Sequence, residues 1–138
     1  MQISWVLLAE NVAVNEEAQR MDILGEFHRV VVDQFPYSLP RFYIVCRAKA
    51  DTRSHSTMPY KLTLRRPSDE LVELHNGDVS VTVPPNVGRV VGTLIADIQD
   101  LEIKSQGSHT ITAQLGDSEH NADFIVVPRR NVINDAQE

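Results

Sequence analysis

Cysteine is nearly absent from the sequence, which excludes a disulfide-stabilised fold. The 138 residues include one cysteine, Cys46, which has no intramolecular partner. A chain of this length buries enough surface to fold without a disulfide or a metal. We expect one domain over residues 1–128, a polar C-terminal tail over 129–138 and a cytoplasmic location.

Long hydrophobic runs are absent as well. No window approaches the ~18 apolar residues that a membrane-spanning helix requires. The first ten residues contain only about seven apolar positions, no basic residue, and Glu10 where a signal-peptide cleavage site would lie. This pattern predicts an N-terminal strand and no membrane partner.

Basic charge is in deficit. The chain has 13 Lys and Arg against 19 Asp and Glu, a formal net charge of −6. A surplus of negative charge opposes sequence-independent binding to phosphate backbones and anionic lipids. We therefore expect no nucleic-acid partner and expect instead a protein partner or self-association.

Catalytic motifs are also missing. The sequence has no G-x-S-x-G elbow, no glycine-rich phosphate loop and no H-E-x-x-H pair. The five histidines are His28, His55, His75, His109 and His120. Because none of them has the spacing of metal ligands, we expect most of them on the surface. A zinc site would require distant segments of the chain to meet. We predict no cofactor, no metal and no enzyme, the alternative being a site assembled from dispersed residues.

Alternation of apolar and polar residues is the main signal that is present. It predicts strands in which Cys46, Leu62 and Ile111 point to one face, because successive side chains of a strand lie on opposite faces. The buried Cys46 thiol is expected to be inert. The apolar run 124–127 predicts a strand that is covered on both faces.

Turn residues lie between these strands. Asn76-Gly77 predicts a type I′ hairpin turn, and Ser68-Asp69 after Pro67 predicts a second turn. Residues 16–20 are interpreted as a hairpin loop. The segment Phe35–Pro40 carries two prolines and is predicted to cross between sheets.

About eight short strands in one domain favour an all-β, two-sheet antiparallel β-sandwich with an Ig-like, C2-like or jelly-roll-like topology. A closed barrel is the alternative. Because aromatic residues make up only 6% of the chain, we expect a core of Val, Leu and Ile.

Several segments resemble a bacterial family of uncharacterised domains, the DUF6941-like proteins. The N-terminal third carries the resemblance in 5–15, 21–27, 35–36, 39–40 and 42–47, with looser agreement in 94–98, 101–103, Gly107 and 124–127. His109 departs from the aromatic residue that such proteins have near this position. The resemblance implies an all-β sandwich and brings no established activity or catalytic residue.

One local cluster of basic residues opposes the acidic balance of the chain. If the strands at 42–49 and 60–65 are neighbours, Arg47 and Lys49 would stand beside Lys61 and Arg65 in a positive stripe. Such a stripe could bind an acidic partner or an acidic patch of a second copy; the alternative is an ordinary solvent face. Phe35 and Tyr37 complete this candidate interaction surface.

The most polar window follows Gly116. Asp117, Glu119, His120 and Asp123 could form an end-loop site for Ca²⁺ or a carbohydrate, or a solvated hairpin connection. The sequence thus favours a non-catalytic interaction or assembly module; the alternative is a module for a small ligand, a carbohydrate or Ca²⁺-assisted binding.

Overall fold

The computed structural model describes residues 1–18, 20–50, 56–81, 83 and 88–129. Eleven strands make up most of this part of the chain. They are β1 (Gln2–Asn15), β2 (Arg20–Glu26), β3 (Arg29–Val32), β4 (Tyr37–Leu39), β5 (Phe42–Ala50), β6 (Ser56–Arg65), β7 (Leu71–Val81), β8 (Val90–Ile98), β9 (Leu101–Ile103), β10 (Gly107–Leu115) and β11 (Ser118–Pro128).

Nine of these strands form two facing sheets. Sheet A has the order β2-β1-β5-β8 and sheet B the order β3-β11-β10-β6-β7, while β4 and β9 pair separately. All pairs are antiparallel except β3 with β11. In the described part of the chain neither sheet closes on itself, and the predicted all-β sandwich is confirmed. The strand count exceeds the expected eight because β3, β4 and β9 are only three or four residues long, too short to show alternation.

The core lies between the inner faces of the two sheets. Leu62, Ile111 and Phe124 are at most 1% exposed, as the alternating pattern predicts. Cys46 also points inward and is 3% exposed. Burying a side chain of the size of Leu62 or Phe124 stabilises the fold by about 1.5–3 kcal/mol, so the predicted alternation carries much of the stability.

Two predicted turns are confirmed. Residues 16–18 form a turn between β1 and β2, where the Asn15 side chain accepts a hydrogen bond from the Ala18 backbone N–H at 3.0 Å. Of the loop predicted over 16–20, residue 19 lies outside the described residues and Arg20 already belongs to β2. Between β6 and β7, Asp69 adopts a positive φ of 70°. Its N–H donates to the Arg66 carbonyl at 2.9 Å, which closes the turn after Pro67.

The predicted hairpin turn at Asn76-Gly77 is wrong, since both residues lie inside the continuous strand β7. Opposite Gly77 on β6 lies Tyr60. A Cβ added to Gly77 would approach the Tyr60 Cε1 to 2.9 Å. The glycine therefore makes room for a cross-strand ring, a role that sequence alone does not distinguish from a turn.

The prediction that 124–127 is covered on both faces is also wrong. Phe124 and Val126 are fully buried, but Ile125 between them is 50% exposed. The strand β11 lies inside sheet B between β3 and β10, and the described residues do not cover the outer face of sheet B at Ile125. Burial of one face is sufficient for this apolar run.

The segment 35–40 joins β3 of sheet B to β5 of sheet A, as predicted, and contains the unexpected strand β4. Its Phe35-Pro36 peptide bond is cis. The expected tail at 129–138 lies outside the described residues apart from Arg129, which forms an ion pair with Asp33.

Candidate interaction site at the open side of the sandwich

One side of the sandwich is closed by the backbone itself. The Phe27 N–H donates to the Leu8 carbonyl of sheet A at 3.0 Å, and the next residue, His28, accepts from the Ile125 N–H of sheet B at 2.8 Å. The chain thus passes from β2 to β3 while bonded to both sheets. At this side the two inner faces are joined tightly.

On the opposite side, the described residues leave the space between the edge strands β7 and β8 open. A cavity of about 230 Å³ lies there between the sheets. Its lining is predominantly apolar and includes Ile3, Ala48, Leu62, Val79, Val90 and Leu115. Small side chains leave the space: Ala48 on β5 lies opposite Gly92 on β8, and a Cβ added to Gly92 would meet nothing within 4 Å.

The thiol of Cys46 lies in the lining of this cavity. Burial raises its pKa to about 11, because an apolar environment disfavours the thiolate. The prediction of an inward cysteine is confirmed. A thiol that stays protonated near neutral pH is a poor nucleophile and a weak metal ligand.

The strand β8 forms the rim of the cavity and the edge of sheet A. Its only partner in the described part of the chain is β5. Residues 90–96 include no charged side chain and no proline, and Val91 is 56% exposed. Unpaired N–H and C=O groups on such an edge can pair with another strand.

The outer face of β8 lines a second groove, which has both apolar and polar side chains in its walls. Arg47 on β5 donates to the Thr93 hydroxyl at 3.2 Å, and its guanidinium lies 5.4 Å from the centre of the Trp5 ring. A groove of about 590 Å³ runs between these strands and the β1–β2 hairpin, with Val14, Val91 and Ile95 among its lining residues. Arg47 is thus already held by its own sheet.

The predicted basic stripe does not form. Arg47 and Lys49 lie on β5 of sheet A, whereas Lys61 and Arg65 lie on β6 of sheet B. The interpretation required β5 and β6 to be neighbours, but the chain crosses between the sheets after β5. Lys61 instead lies 3.8 Å from Glu73 of the adjacent strand.

The two aromatic residues of the candidate surface have a structural environment. Phe35 and Tyr37 are half-buried and pack against the hydrophobic core. Tyr37 belongs to β4, which pairs with β9. These rings stabilise the crossing segment between the two sheets.

The predicted polar end loop is a tight two-residue turn followed by strand. Only Gly116 and Asp117 form the turn, since Leu115 pairs with Ser118. Glu119 and Asp123 then project from one face of β11, while His120 between them projects from the other. These side chains do not converge on one point.

No group of three His, Cys, Asp or Glu side chains within the described ranges is placed to hold a metal ion. Among the histidines, His28, His75 and His120 are exposed as expected, and His55 lies outside the described residues. His109 contradicts the expectation, because it is fully buried.

The buried His109 belongs to a polar cluster that sequence reasoning missed. Its Nδ1 lies 3.0 Å from the Gly107 carbonyl oxygen, so Nδ1 carries the proton and donates. Its Nε2 has no hydrogen-bond partner in the described structure. Burial lowers the pKa of His109, an effect that the Gly107 bond opposes and nearby Arg66 reinforces.

Arg66 is the second buried member of this cluster. Its Nη1 donates to the Glu102 carbonyl at 2.6 Å, and its Nε lies 2.7 Å from a Glu70 carboxylate oxygen. The two contacts of Arg66 tie the turn between β6 and β7 to β9. Arg66 Nε makes no hydrogen bond of good geometry in the described structure, so its link to Glu70 is an ion pair. Because these contacts all lie within the fold, the arrangement is structural.

The described residues contain no helix with the length and hydrophobicity needed to cross a membrane.

Comparison with known proteins gives a family and a fold. No curated protein matches the sequence. A family of unknown function, DUF6941, matches residues 4–127. The structure is similar to part of a β-glucosidase from Listeria innocua, crystallised in complex with glucose, at 7% identity and a TM-score of 0.53. The match covers 72% of this chain but only 15% of the glucosidase chain, so it shows the fold alone.

Proposed function

The chain belongs to the DUF6941 family, a family of unknown function, and we propose from its geometry that it is a non-catalytic interaction module. The proposed activity is strand addition: an extended segment of a protein partner pairs with the edge of β8. The observation that carries this proposal is the uncharged edge of β8 above an open apolar cavity.

A comparison of the edge strands supports this choice of site. The edge strand β2 carries Arg20, Asp22 and Glu26, and the edge strand β7 carries Glu73 and Asp78. Charges of this kind discourage pairing with other chains. On the short edge strand β3 the first residue is Arg29. The seven uncharged residues 90–96 leave β8 without this protection.

The cavity supplies a reason for specificity. Backbone pairing along β8 would be tolerant of sequence, because it uses N–H and C=O groups that every strand has. An apolar side chain of the partner on the inner side could enter the cavity beside Gly92. Burial of such a side chain stabilises the complex by about 1.5–3 kcal/mol. A polar segment lacks this contribution and would bind more weakly.

The remaining parts of the proposal concern chemistry and location. The raised pKa of Cys46 and the separation of the polar residues on β11 support a non-catalytic role. The net charge of −6 supports a protein partner rather than a nucleic acid or a lipid surface. We place the protein in the bacterial cytoplasm, where a free thiol stays reduced.

The test uses random peptides displayed on phage and selected against the purified protein. We expect enrichment of extended apolar peptides on the wild type and loss of their binding to Thr93→Lys, which places a charge on the β8 edge. Ser108→Lys, at an exposed position of the central strand β10, is the control and should bind normally. Absence of enrichment, or equal binding to Thr93→Lys, would contradict strand addition.

A second candidate function is favoured by the cavity itself. A volume of about 230 Å³ with an apolar lining suits a small hydrophobic molecule better than a carbohydrate, whose hydroxyl groups would lack partners. We expect hexanol to raise the melting temperature, and glucose or Ca²⁺ to leave it unchanged. Ala113→Leu, which fills the cavity, should abolish the hexanol effect; its persistence would argue against this site.

A further inference from the structure

The sequence of β8 and its flanks is complementary to itself. Two copies of β8 can run antiparallel with Thr93 opposite the second copy's Thr93. In this register, the residue numbers of each opposed pair add up to twice 93. Opposed residues lie on the same face of the joined sheet, because the side chains of a strand alternate between faces with a period of two. This register gives every residue from Val90 to Ala96 a defined opposite residue in the second copy.

On the inner face, the register sets Gly92 opposite the second copy's Leu94. Gly92 is the position where an added Cβ would meet nothing within 4 Å. Leu94 is half-buried and lines the same cavity. Each leucine would therefore cover the other copy's glycine at the mouth of the cavity.

On the outer face, the register sets Val91 opposite the second copy's Ile95. Val91 is 56% exposed in the single chain. Directly opposed β-branched residues stabilise antiparallel pairs. The two Thr93 side chains meet at the symmetry axis, where their hydroxyl groups can bond to each other.

At the ends, the register pairs opposite charges. Arg89 would face the second copy's Asp97, twice by symmetry. Asp97 already binds Arg41 of its own chain, with 2.7 Å between Arg41 Nη2 and Asp97 Oδ2, so each carboxylate would lie between two guanidinium groups. Moving the centre by one residue in either direction places Arg89 or Asp97 opposite an apolar residue, which loses the pairing.

We propose that the segment bound by β8 is β8 of a second copy, centred on Thr93. The two four-stranded sheets then join into one continuous sheet across a twofold axis, with both cavities closed. This inference rests on the proposed strand addition and names its partner. Such a contact is isologous, since the same patch serves both copies.

Disulfide cross-linking tests the register. Directly opposed residues of an antiparallel pair have Cα atoms about 4.5–5.5 Å apart, within the range that a disulfide bridges. Thr93→Cys should therefore form a cross-linked dimer on mild oxidation. Val91→Cys and Ile95→Cys should each fail alone, because the two equivalent Cα atoms are about 13 Å apart, but should cross-link when the two variants are mixed.

Wild type is the matched control, since its buried Cys46 should not cross-link. Sedimentation velocity at rising micromolar concentration should show wild type moving from 15.5 kDa to twice that mass. Thr93→Lys should stay monomeric and Ser108→Lys should dimerise. Arg89→Asp, which opposes like charges, should weaken the dimer.

Failure of this inference is distinguishable from failure of strand addition. Self-association is overturned if the wild type is monomeric at every concentration and Thr93→Cys forms no cross-link. If displayed peptides then bind the wild type but not Thr93→Lys, the β8 edge still binds another protein. Cross-linking of Val91→Cys or Ile95→Cys alone overturns the register. If the wild type neither forms a dimer nor binds displayed peptides, both proposals are overturned.

Discussion

The imidazole of His109 lies nearly parallel to the ring of Phe124, with 4.9 Å between the ring centres and 16° between the planes. Both side chains are fully buried between the sheets. A stacked, desolvated imidazole is stable in its neutral form, because a charge there would lack water and would lie near the guanidinium of Arg66.

The free energy of unfolding should therefore fall in mild acid. Unfolded His109 takes up a proton near its ordinary pKa of 6.5, whereas burial lowers its pKa in the folded protein. The stability that neutral His109 contributes is complete above about pH 6.5 and is lost as the pH falls towards the lowered pKa. Urea unfolding at about pH 7.5 and about pH 5.5 measures this.

His109→Phe keeps a ring against Phe124 and removes the titration, so its stability should change less between the two pH values. His120→Gln, at an exposed site, is the control and should behave as wild type. An equal acid loss in His109→Phe would assign the effect to another group.

Two glutamates that differ in their partner should differ in their effect on stability. Glu70→Gln leaves the Arg66 guanidinium, whose side chain is 8% exposed, without its carboxylate, and we expect a loss of about 1–3 kcal/mol. Glu73→Gln removes an exposed pair with Lys61 and should cost less than about 0.5 kcal/mol. Denaturant unfolding at neutral pH measures both; equal losses would contradict this difference.

Two glycines in strands should respond oppositely to alanine. Gly77→Ala forces the Tyr60 ring aside and disturbs its 2.8 Å hydrogen bond to His75 Nδ1, at a cost of about 1 kcal/mol. Gly92→Ala meets open space and should leave the stability of the monomer unchanged or raised by up to about 1 kcal/mol. The Gly77→Ala loss should vanish in a Tyr60→Leu background, and its persistence there would point to backbone strain.

The Cys46 thiol should react slowly in the folded protein. With a pKa of about 11, roughly a thousandth of the thiol is ionised at about pH 8. We expect modification by Ellman's reagent to be at least about 100-fold slower in buffer than in urea. Rapid reaction in buffer would show that the cavity opens to solvent.

Strands with clean alternation could be predicted from sequence because each has one buried face. β10 is such a strand, since Ile111, Ala113 and Leu115 are all buried. Gly77 could not be interpreted correctly, because an asparagine followed by a glycine is typical of a hairpin turn, and the true partner of Gly77, Tyr60, lies seventeen positions away on another strand.

The candidate site depends on which strands are neighbours, and alternation does not specify this. Arg47 and Lys61 have the same outward pattern, yet they belong to different sheets. The sequence contains only a weak indication of the β8 edge. This indication is the uncharged run from Val90 to Ala96, which includes Gly92 and lies between Arg89 and Asp97. Its meaning required knowledge that β8 ends a sheet.

The parallel pairing of β3 with β11 has a consequence for synthesis on the ribosome. Sheet A is complete once β8 has emerged, because β1, β2, β5 and β8 all precede residue 99. In sheet B, β3 pairs only with β11, whose register with it begins at Ile125. An early strand therefore waits for nearly one hundred further residues before it gains its hydrogen bonds. A nascent chain halted before Ser118 would lack β11 and would leave β3 and one edge of β10 without their partner. Chaperones that recognise unpaired apolar strands would meet this protein at that stage.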